Sequence, residues 1–199
     1  MDFCHKIIRW NNRNKRDFPW RRTSDPYRIW VSEIILQQTR VAQGLSYYLR
    51  FIKQFPDLIS LAKANEDKVL KLWQGLGYYS RAKNLLKTAK IIAAEHNALF
   101  PSEFNEIIRL PGIGEYTARA ILCFAFDKQV AVVDTNIRKV MLTQFIIDEK
   151  DVKKFAEELL PMGRAYEWNQ ALMDYAAVVL KNQKIPIPKQ SKFLGSQRY

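Results

Sequence analysis

Apolar residues recur at spacings of three and four along most of the chain, which is the pattern of amphipathic helices. The pattern predicts a helix from Asp2 to about Asn14, another from Tyr27, and further helices over about 40–55, 57–63, 66–73 and 80–96. It continues with two helices around a glycine turn, one helix starting near Asp134, one over about 150–160 and one over about 165–181. No sustained alternation of apolar and polar residues, the pattern of half-buried strands, is present. The sequence therefore predicts an all-α fold.

The stretch from Leu110 to Ala118 joins two of these helices through a short turn that contains Gly112 and Gly114. Glycine permits backbone angles that other residues avoid. A turn of this kind leaves N–H groups pointing outward at the start of the second helix, where the helix dipole also favours negative charge. The stretch therefore predicts a site for one phosphate, although the turn alone suits an ordinary helix–turn–helix corner equally well.

Two carboxylates stand out as candidates for catalysis. Glu33 lies at the edge of an apolar stripe, where partial burial would raise its pKa and let it hold a proton near neutral pH. Most glutamates instead lie on the surface. Asp134 follows an apolar run and precedes a helix, whose N–H groups should keep it ionised, although a plain N-cap accounts for the spacing as well. One protonated acid and one anion suit cleavage through an oxocarbenium-like transition state.

Charge and composition narrow the class of protein. The chain has 32 Lys and Arg against 20 Asp and Glu, and its net charge of +12 favours nucleic acid as partner over a membrane. Its longest apolar run, Ala120 to Phe126, is far below the ~18 residues of a membrane span. These features predict a cytoplasmic protein with no membrane partner. The two cysteines, Cys4 and Cys123, and the two histidines do not have metal-ligand spacing, so no metal site is predicted.

Several stretches between residue 18 and about residue 180 also match a known family, in the order in which the family has them. They are Phe18-Pro-Trp-Arg21, Pro26-Tyr27, Ser32-Glu-Ile-Ile-Leu-Gln-Gln-Thr39, Leu72-Trp-Gln-Gly-Leu-Gly-Tyr-Tyr-Ser-Arg-Ala82, Leu110 to Ala118, Val133-Asp-Thr-Asn136 and Trp168-Asn-Gln-Ala-Leu-Met-Asp174. The chain thereby resembles the helix-hairpin-helix superfamily of DNA glycosylases, and most of all the MutY-type adenine glycosylases.

The resemblance implies two lobes with the extruded nucleotide in the cleft between them. Residues 23–134 would form a six-helix barrel domain that contains the hairpin, and residues 1–22 and 135–199 a second domain built from both termini. The implied partner is double-stranded DNA with a mismatched or damaged base, bound by a monomer.

The same resemblance assigns roles to individual residues. Glu33 matches the acid that protonates the adenine leaving group, Asp134 the aspartate that stabilises the sugar cation, and Asn136 its support. Tyr116 matches a position that faces the reacting sugar. Trp30 and Gln170 match positions in the base pocket. The DNA-binding positions implied by the resemblance are Gln37, Gln38, Tyr78, Gly112 and Gly114. The basic N-terminal segment adds Arg22 to them.

Three departures from the family pattern affect what is expected. No cysteine follows Leu180, where relatives carry a four-cysteine iron–sulfur loop, so we expect no cluster and no other cofactor. A counterpart of the C-terminal domain that reads 8-oxoguanine is not expected either. The tripeptide after Val133 is Asp-Thr-Asn, where adenine glycosylases usually have a central glycine. The base pair on which the enzyme would act is therefore not determined by the resemblance.

The expected function is base-excision repair by a monofunctional glycosylase that removes adenine opposite guanine or 8-oxoguanine. Little or no lyase activity is expected, because Tyr116 occupies the position of the lysine of bifunctional relatives. One alternative is a glycosylase for thymine or uracil opposite guanine, a group that also has tyrosine at this position. Gln37 and Gln38 favour the adenine enzymes. The other alternative is a non-catalytic DNA-binding module, which would need neither Glu33 nor Asp134.

Overall fold

The computed structural model describes residues 3–181, and within this range it contains helices and no strand. The α-helices are α1 (Phe3–Asn14), α2 (Pro26–Leu36), α3 (Val41–Gln54), α4 (Leu58–Ala62), α5 (Glu66–Trp73), α6 (Ser80–Glu95), α7 (Phe104–Ile107), α8 (Glu115–Phe126), α9 (Thr135–Gln144), α10 (Val152–Glu158) and α11 (Ala165–Val178). Short 3₁₀ turns occur at Pro19–Arg21 and Glu149–Asp151. The predicted all-α fold is confirmed. Residues 182–199, which include the segment expected to lack an iron–sulfur loop, lie outside the described residues.

Several helices begin at a polar side chain that caps the first turn. Asp25 accepts a hydrogen bond from the Tyr27 N–H at the start of α2, with Pro26 in the first helical position. Asp57 and Ser60 form a reciprocal capping box on α4. Such caps satisfy N–H groups that have no partner within the helix, and for this reason the helix starts could be read from the sequence.

The larger hydrophobic core is enclosed by helices α2 to α8, a group that we call the barrel. Helix α2 packs against α3, α6 and α8, so it is surrounded on most sides. The fully buried side chains of Trp30, Phe51 and Trp73 belong to this core. Aromatic rings of this size bury ~150–250 Å² each and stabilise the barrel through the hydrophobic effect.

A second core combines the two ends of the described chain in a group of helices that we call the terminal lobe. It is built from α1, α9, α10 and α11, with Ile7, Met141 and Trp168 among its buried members. A smaller cluster that includes Ile29 and Phe124 joins this lobe to the barrel. The cleft described below lies between the two groups of helices.

The residues present do not fit an iron–sulfur cluster. Such a cluster is held by four cysteine ligands, and the chain has two cysteines. Cys4 donates to the Leu159 carbonyl in the second core, whereas the Cys123 sulfur accepts a hydrogen bond from Asn169 in the joining cluster. Among residues 3–181 no group of three or more His, Cys, Asp or Glu side chains could hold a metal ion. None of the helices in this range combines the length and the apolar character that a membrane span requires.

Candidate active site

A cleft of about 880 Å³ opens between the barrel and the terminal lobe. Its walls come from the connector after α1, from α2 and the turn that follows it, from α8, from the start of α9 and from α11. Most of the residues for which the sequence predicts chemistry line this cleft, namely Glu33, Gln37, Gln38, Tyr116, Asp134, Asn136 and Gln170. The fold thus brings together side chains that are more than 100 residues apart in sequence.

Glu33 is the partly buried acid that the sequence predicts. Burial raises the pKa of Glu33 to about 7, and the negative charge of Asp134 adds to this effect. A hydrogen bond from Tyr116 and the positive charge of Arg21 act in the opposite direction. Near neutral pH the carboxyl group therefore exists in both protonation states, as an acid that first donates a proton and then accepts one requires.

Tyr116 lies in the first turn of α8, one residue after the helix begins at Glu115. Burial raises the pKa of its phenol well above 10, and the charges of Glu33 and Asp134 raise it further. The phenol consequently stays neutral, and its hydroxyl lies close enough to Glu33 to lower the pKa of that carboxyl group.

Asp134 is the N-cap of α9, as the sequence predicts. Its Oδ1 accepts a hydrogen bond from the Ile137 N–H at 2.7 Å, and its Oδ2 accepts one from Asn136 Nδ2 at 2.6 Å. Burial nevertheless raises the pKa of Asp134 above its ordinary value, against the lowering effect of these donors. Spacing in the sequence reveals the cap but not the burial. Asn136, itself exposed, holds the carboxylate in place in the cleft wall.

The raised pKa of Glu33 has a measurable effect on stability. The pKa of this carboxyl group is near 4.5 in the unfolded chain and near 7 in the folded protein. Its contribution to the free energy of unfolding is therefore fully present below pH 4.5 and is lost as the pH rises through 7. We expect Glu33→Gln to be more stable than the unsubstituted protein at pH 8, by on the order of 2–3 kcal/mol. The difference should shrink at pH 5. Urea unfolding at the two pH values measures it, and an equal difference at both would contradict this assignment.

Of the two residues predicted for the base pocket, one lines the cleft and one does not. Gln170 lines the cleft, is only 8% exposed, and its Oε1 has no hydrogen-bond partner among residues 3–181. Trp30 does not line the cleft, because its ring is buried in the barrel core between Tyr27 and Phe100. Since α2 is buried on most sides, periodicity does not distinguish the face toward the cleft from the face toward the barrel. The indole that lines the cleft is that of Trp20.

Trp20 belongs to the 3₁₀ turn Pro19–Arg21. From the prolines in this segment the sequence predicts only a loop between the first two helices. The same connector brings two arginines to the cleft wall. The buried carboxylate of Asp174 accepts hydrogen bonds from Arg16 Nε at 2.6 Å and from Arg21 Nη1 and Nη2 at 2.8 and 2.9 Å. Burial alone would raise the pKa of Asp174, but these hydrogen bonds and charges hold it below its ordinary value. The network fixes both guanidinium groups, and periodicity gave no sign of it.

The residues predicted to bind DNA lie at the cleft mouth and on neighbouring turns. Gln37 and Gln38 follow α2 directly, and Tyr78, with 64% of its surface exposed, precedes α6. Arg22 is exposed and forms an ion pair with Asp17, and it does not line the cleft.

The hairpin uses its two glycines differently. Gly112 has a φ of +77°, and a Cβ there would lie 2.7 Å from the Cβ of Asn84, so this position needs glycine. Gly114 caps α8 at a φ of −89°, which other residues adopt readily. The first N–H groups of α8 have no carbonyl partner within the helix, and they lie beside Tyr116. The phosphate site at this turn stays a prediction.

Comparisons with known proteins point to one family. Residues 31–163, which include Glu33, Tyr116, Asp134 and Asn136, match the model of the HhH-GPD superfamily of base excision DNA repair proteins. A solved structure of a thermostable thymine-DNA glycosylase superposes with a TM-score of 0.83 at 30% identity, over 92% of this chain and 88% of that one.

The chain is also similar to curated adenine DNA glycosylases. It is 41% identical to that of Buchnera aphidicola subsp. Baizongia pistaciae over 89% of this chain and 52% of the relative, and 35% identical to that of Rattus norvegicus over 92% and 39%. It thus spans about half or less of the length of these relatives. The matched family model, the helical fold and the two carboxylates in the cleft together show that the chain belongs to the HhH-GPD superfamily of base excision DNA repair proteins.

Proposed function

We propose that the protein is a DNA glycosylase that hydrolyses the N-glycosidic bond of adenine mispaired with guanine or 8-oxoguanine in double-stranded DNA. The observation that carries the proposal is the pairing of Glu33, whose pKa is raised to about 7, with Asp134 in one cleft. The curated relatives named adenine DNA glycosylase support the choice of base. The net charge of +12 and the hairpin beside the cleft support a DNA partner.

The chemistry follows from the positions of these groups. With the nucleotide extruded into the cleft, protonated Glu33 donates its proton to a ring nitrogen of adenine as the bond from C1′ to the base breaks. The electron pair of that bond leaves with the base, and the sugar becomes a cation that the Asp134 carboxylate stabilises. Glu33, now a carboxylate, accepts a proton from the water that attacks C1′. The products are free adenine and an abasic site.

The remaining cleft residues support this sequence of steps. The Tyr116 hydroxyl orients Glu33. The unpartnered Oε1 of Gln170 can accept a hydrogen bond from the exocyclic amino group of adenine. No lysine lines the cleft within residues 3–181, and Tyr116 carries no amine, which supports hydrolysis over a Schiff-base lyase reaction.

A second candidate is removal of thymine or uracil opposite guanine. It is favoured by the likeness to the thermostable thymine-DNA glycosylase, which covers most of both chains. A non-catalytic DNA-binding module is a weaker candidate, since binding alone requires no buried carboxyl group with a raised pKa.

A panel of A:8-oxoG, A:G, T:G and U:G duplexes tests the proposal. We expect release of free adenine from the first two duplexes under single-turnover conditions and intact bases in the others. The Glu33→Gln variant serves as the matched control for contaminating activity. Thymine or uracil release with adenine left in place would instead establish the second candidate, and DNA binding without release of any base would indicate the binding module.

A further inference from the structure

Arg81, in the first turn of α6, connects two segments that are distant in sequence. Its side chain is buried, with the residue 9% exposed. Nη1 donates to the carbonyls of Ile34, Ile35 and Gln37 at 3.0, 3.2 and 2.5 Å. Nη2 donates to the carbonyls of Leu76 and Gly77, both at 3.3 Å. Within residues 3–181 Arg81 forms no ion pair with a carboxylate. Its hydrogen-bond partners in this range are all main-chain carbonyls.

The first group of carbonyls lies at the C-terminal end of α2, where helix carbonyls lack partners within the helix. The second group lies in the loop between α5 and α6. A buried cation attracts both groups, because carbonyl oxygens carry the negative end of the peptide dipole. One guanidinium thus holds the end of α2 and the loop before α6 at a fixed separation.

Each clamped segment presents an exposed side chain in an unusual backbone conformation. Gln38, just after the α2 end, has a φ of +55°, and Tyr78, just before α6, has a φ of +48°. For residues other than glycine this region costs roughly 1–2 kcal/mol. Such conformations persist where the surroundings impose them, and they concentrate at functional sites.

The Tyr78 side of the clamp is reinforced. The guanidinium carbon of Arg81 lies 5.6 Å from the centre of the Tyr78 ring and 5.4 Å from that of Trp73. Trp73 Nε1 donates to the Gly77 carbonyl at 3.1 Å. The Tyr47 hydroxyl donates to the Gln74 carbonyl at 2.9 Å. The exposed Tyr78 ring is thus placed on a rigid base.

We propose that Arg81 is a positioning residue that holds Gln37–Gln38 and Tyr78 at the spacing needed to enter the duplex together and extrude the target nucleotide. The inference rests on the proposed function, since only an enzyme that works on an extruded base needs such a pair of insertions. Extrusion costs a few kcal/mol of stacking and pairing. Because Gln37–Gln38 and Tyr78 are already held in place, no binding energy is lost in ordering their two loops when the nucleotide is extruded.

Arginine suits this task better than lysine. Its planar guanidinium presents five donors in a rigid fork, whereas an ammonium group is a single point with three donors. Arg81→Lys therefore keeps a buried cation but cannot bridge both segments. Arg81→Met keeps the length of the side chain and removes every donor.

The test measures extrusion and excision separately. Extrusion is followed by the fluorescence of 2-aminopurine placed at the target adenine position opposite guanine, with Glu33→Gln protein so that the base stays attached. We expect the fluorescence rise at saturating protein to be largely lost when Arg81→Met is added. In otherwise unsubstituted protein, single-turnover adenine release from an A:G duplex should fall about 10²-fold, as expected for misplaced positioning groups. Arg81→Lys should lower the rate of adenine release by a similar factor. It replaces Arg81→Met in both measurements if Arg81→Met does not fold.

Two controls separate positioning from general stability. Ile92→Ala removes a buried side chain in the same helix, far from both loops, and should lower the melting temperature with excision kept within about twofold. Tyr78→Ala should slow excision, and adding Arg81→Met to it should cost less than Arg81→Met costs alone, because the Tyr78 insertion is already disabled and only the placement of Gln37–Gln38 is still lost.

Each of three results would overturn the inference about Arg81 and leave the proposed function standing. They are normal fluorescence with Arg81→Met, effects of Arg81→Met and Tyr78→Ala that multiply, and an equal loss of excision in Ile92→Ala. An unsubstituted protein that releases no adenine would instead overturn the proposed function, and the inference with it.

Discussion

Glu33→Gln is expected to reduce adenine release by about 10²–10⁴-fold, the usual contribution of general acid catalysis. Adenine is a poor leaving group as an anion, and protonation of a ring nitrogen removes this difficulty. Glutamine preserves the shape of the side chain and can accept the Tyr116 hydrogen bond, but it has no acidic proton to give. DNA affinity should therefore change little. Single-turnover release from an A:G duplex and a parallel binding titration measure the two quantities.

The pH dependence of the unsubstituted protein provides an independent check. Because Glu33 must be protonated to act, and burial raises its pKa to about 7, the rate of release should fall as the pH rises through 7. The residual activity of Glu33→Gln should lack this fall. A variant that keeps more than about a tenth of the rate would contradict the role of Glu33 as the acid, given the factor expected for such catalysis.

Asp134→Asn is expected to reduce release of any base by about 10²–10³-fold, the range seen when an electrostatic stabiliser of the transition state is removed. The sugar becomes cationic whichever base departs, and asparagine offers it no negative charge. Asparagine is also a good N-cap, so the hydrogen bond from Ile137 and the start of α9 should be preserved. Thermal unfolding checks that the fold is intact, and single-turnover release measures the loss.

The contrast between the two variants identifies the leaving group. Thymine and uracil depart as stabilised anions and need a proton less than adenine does. If the protein acts on them, Asp134→Asn should disable it while Glu33→Gln leaves substantial activity. Near-normal release by Asp134→Asn on every duplex would refute the cationic mechanism itself.

Helix positions and the two carboxylates were predictable because their signals are local. Asp134 precedes α9 directly and caps it, and Asp25 with Pro26 marks the start of α2. A cap and the apolar periodicity behind it are contained within one or two turns of chain. Glu33 could be identified as a candidate acid from its place beside an apolar stripe.

Contacts between distant segments could not be predicted in this way. Asp174 lies more than 150 residues from Arg16 and Arg21, and no period of the sequence links them. The burial that raises the pKa of Asp134 comes from neighbouring elements of the cleft. The position of Trp30 could not be predicted for a related reason, since a helix surrounded by others has no polar face to show which side meets the cleft. The matching motif Phe18-Pro-Trp-Arg21 was the available signal for Trp20.

The terminal lobe also sets an order of events during synthesis. Helix α1 packs against α11, which begins at Ala165, about 150 residues later in the chain. At ~5–20 residues per second the ribosome needs about 8–30 s to supply that partner. The barrel, which is continuous in sequence, can complete its core in the meantime. For this interval the apolar face of α1, with Cys4, Ile7 and Ile8, has no native surface to cover it, so nascent chains should present it to chaperones.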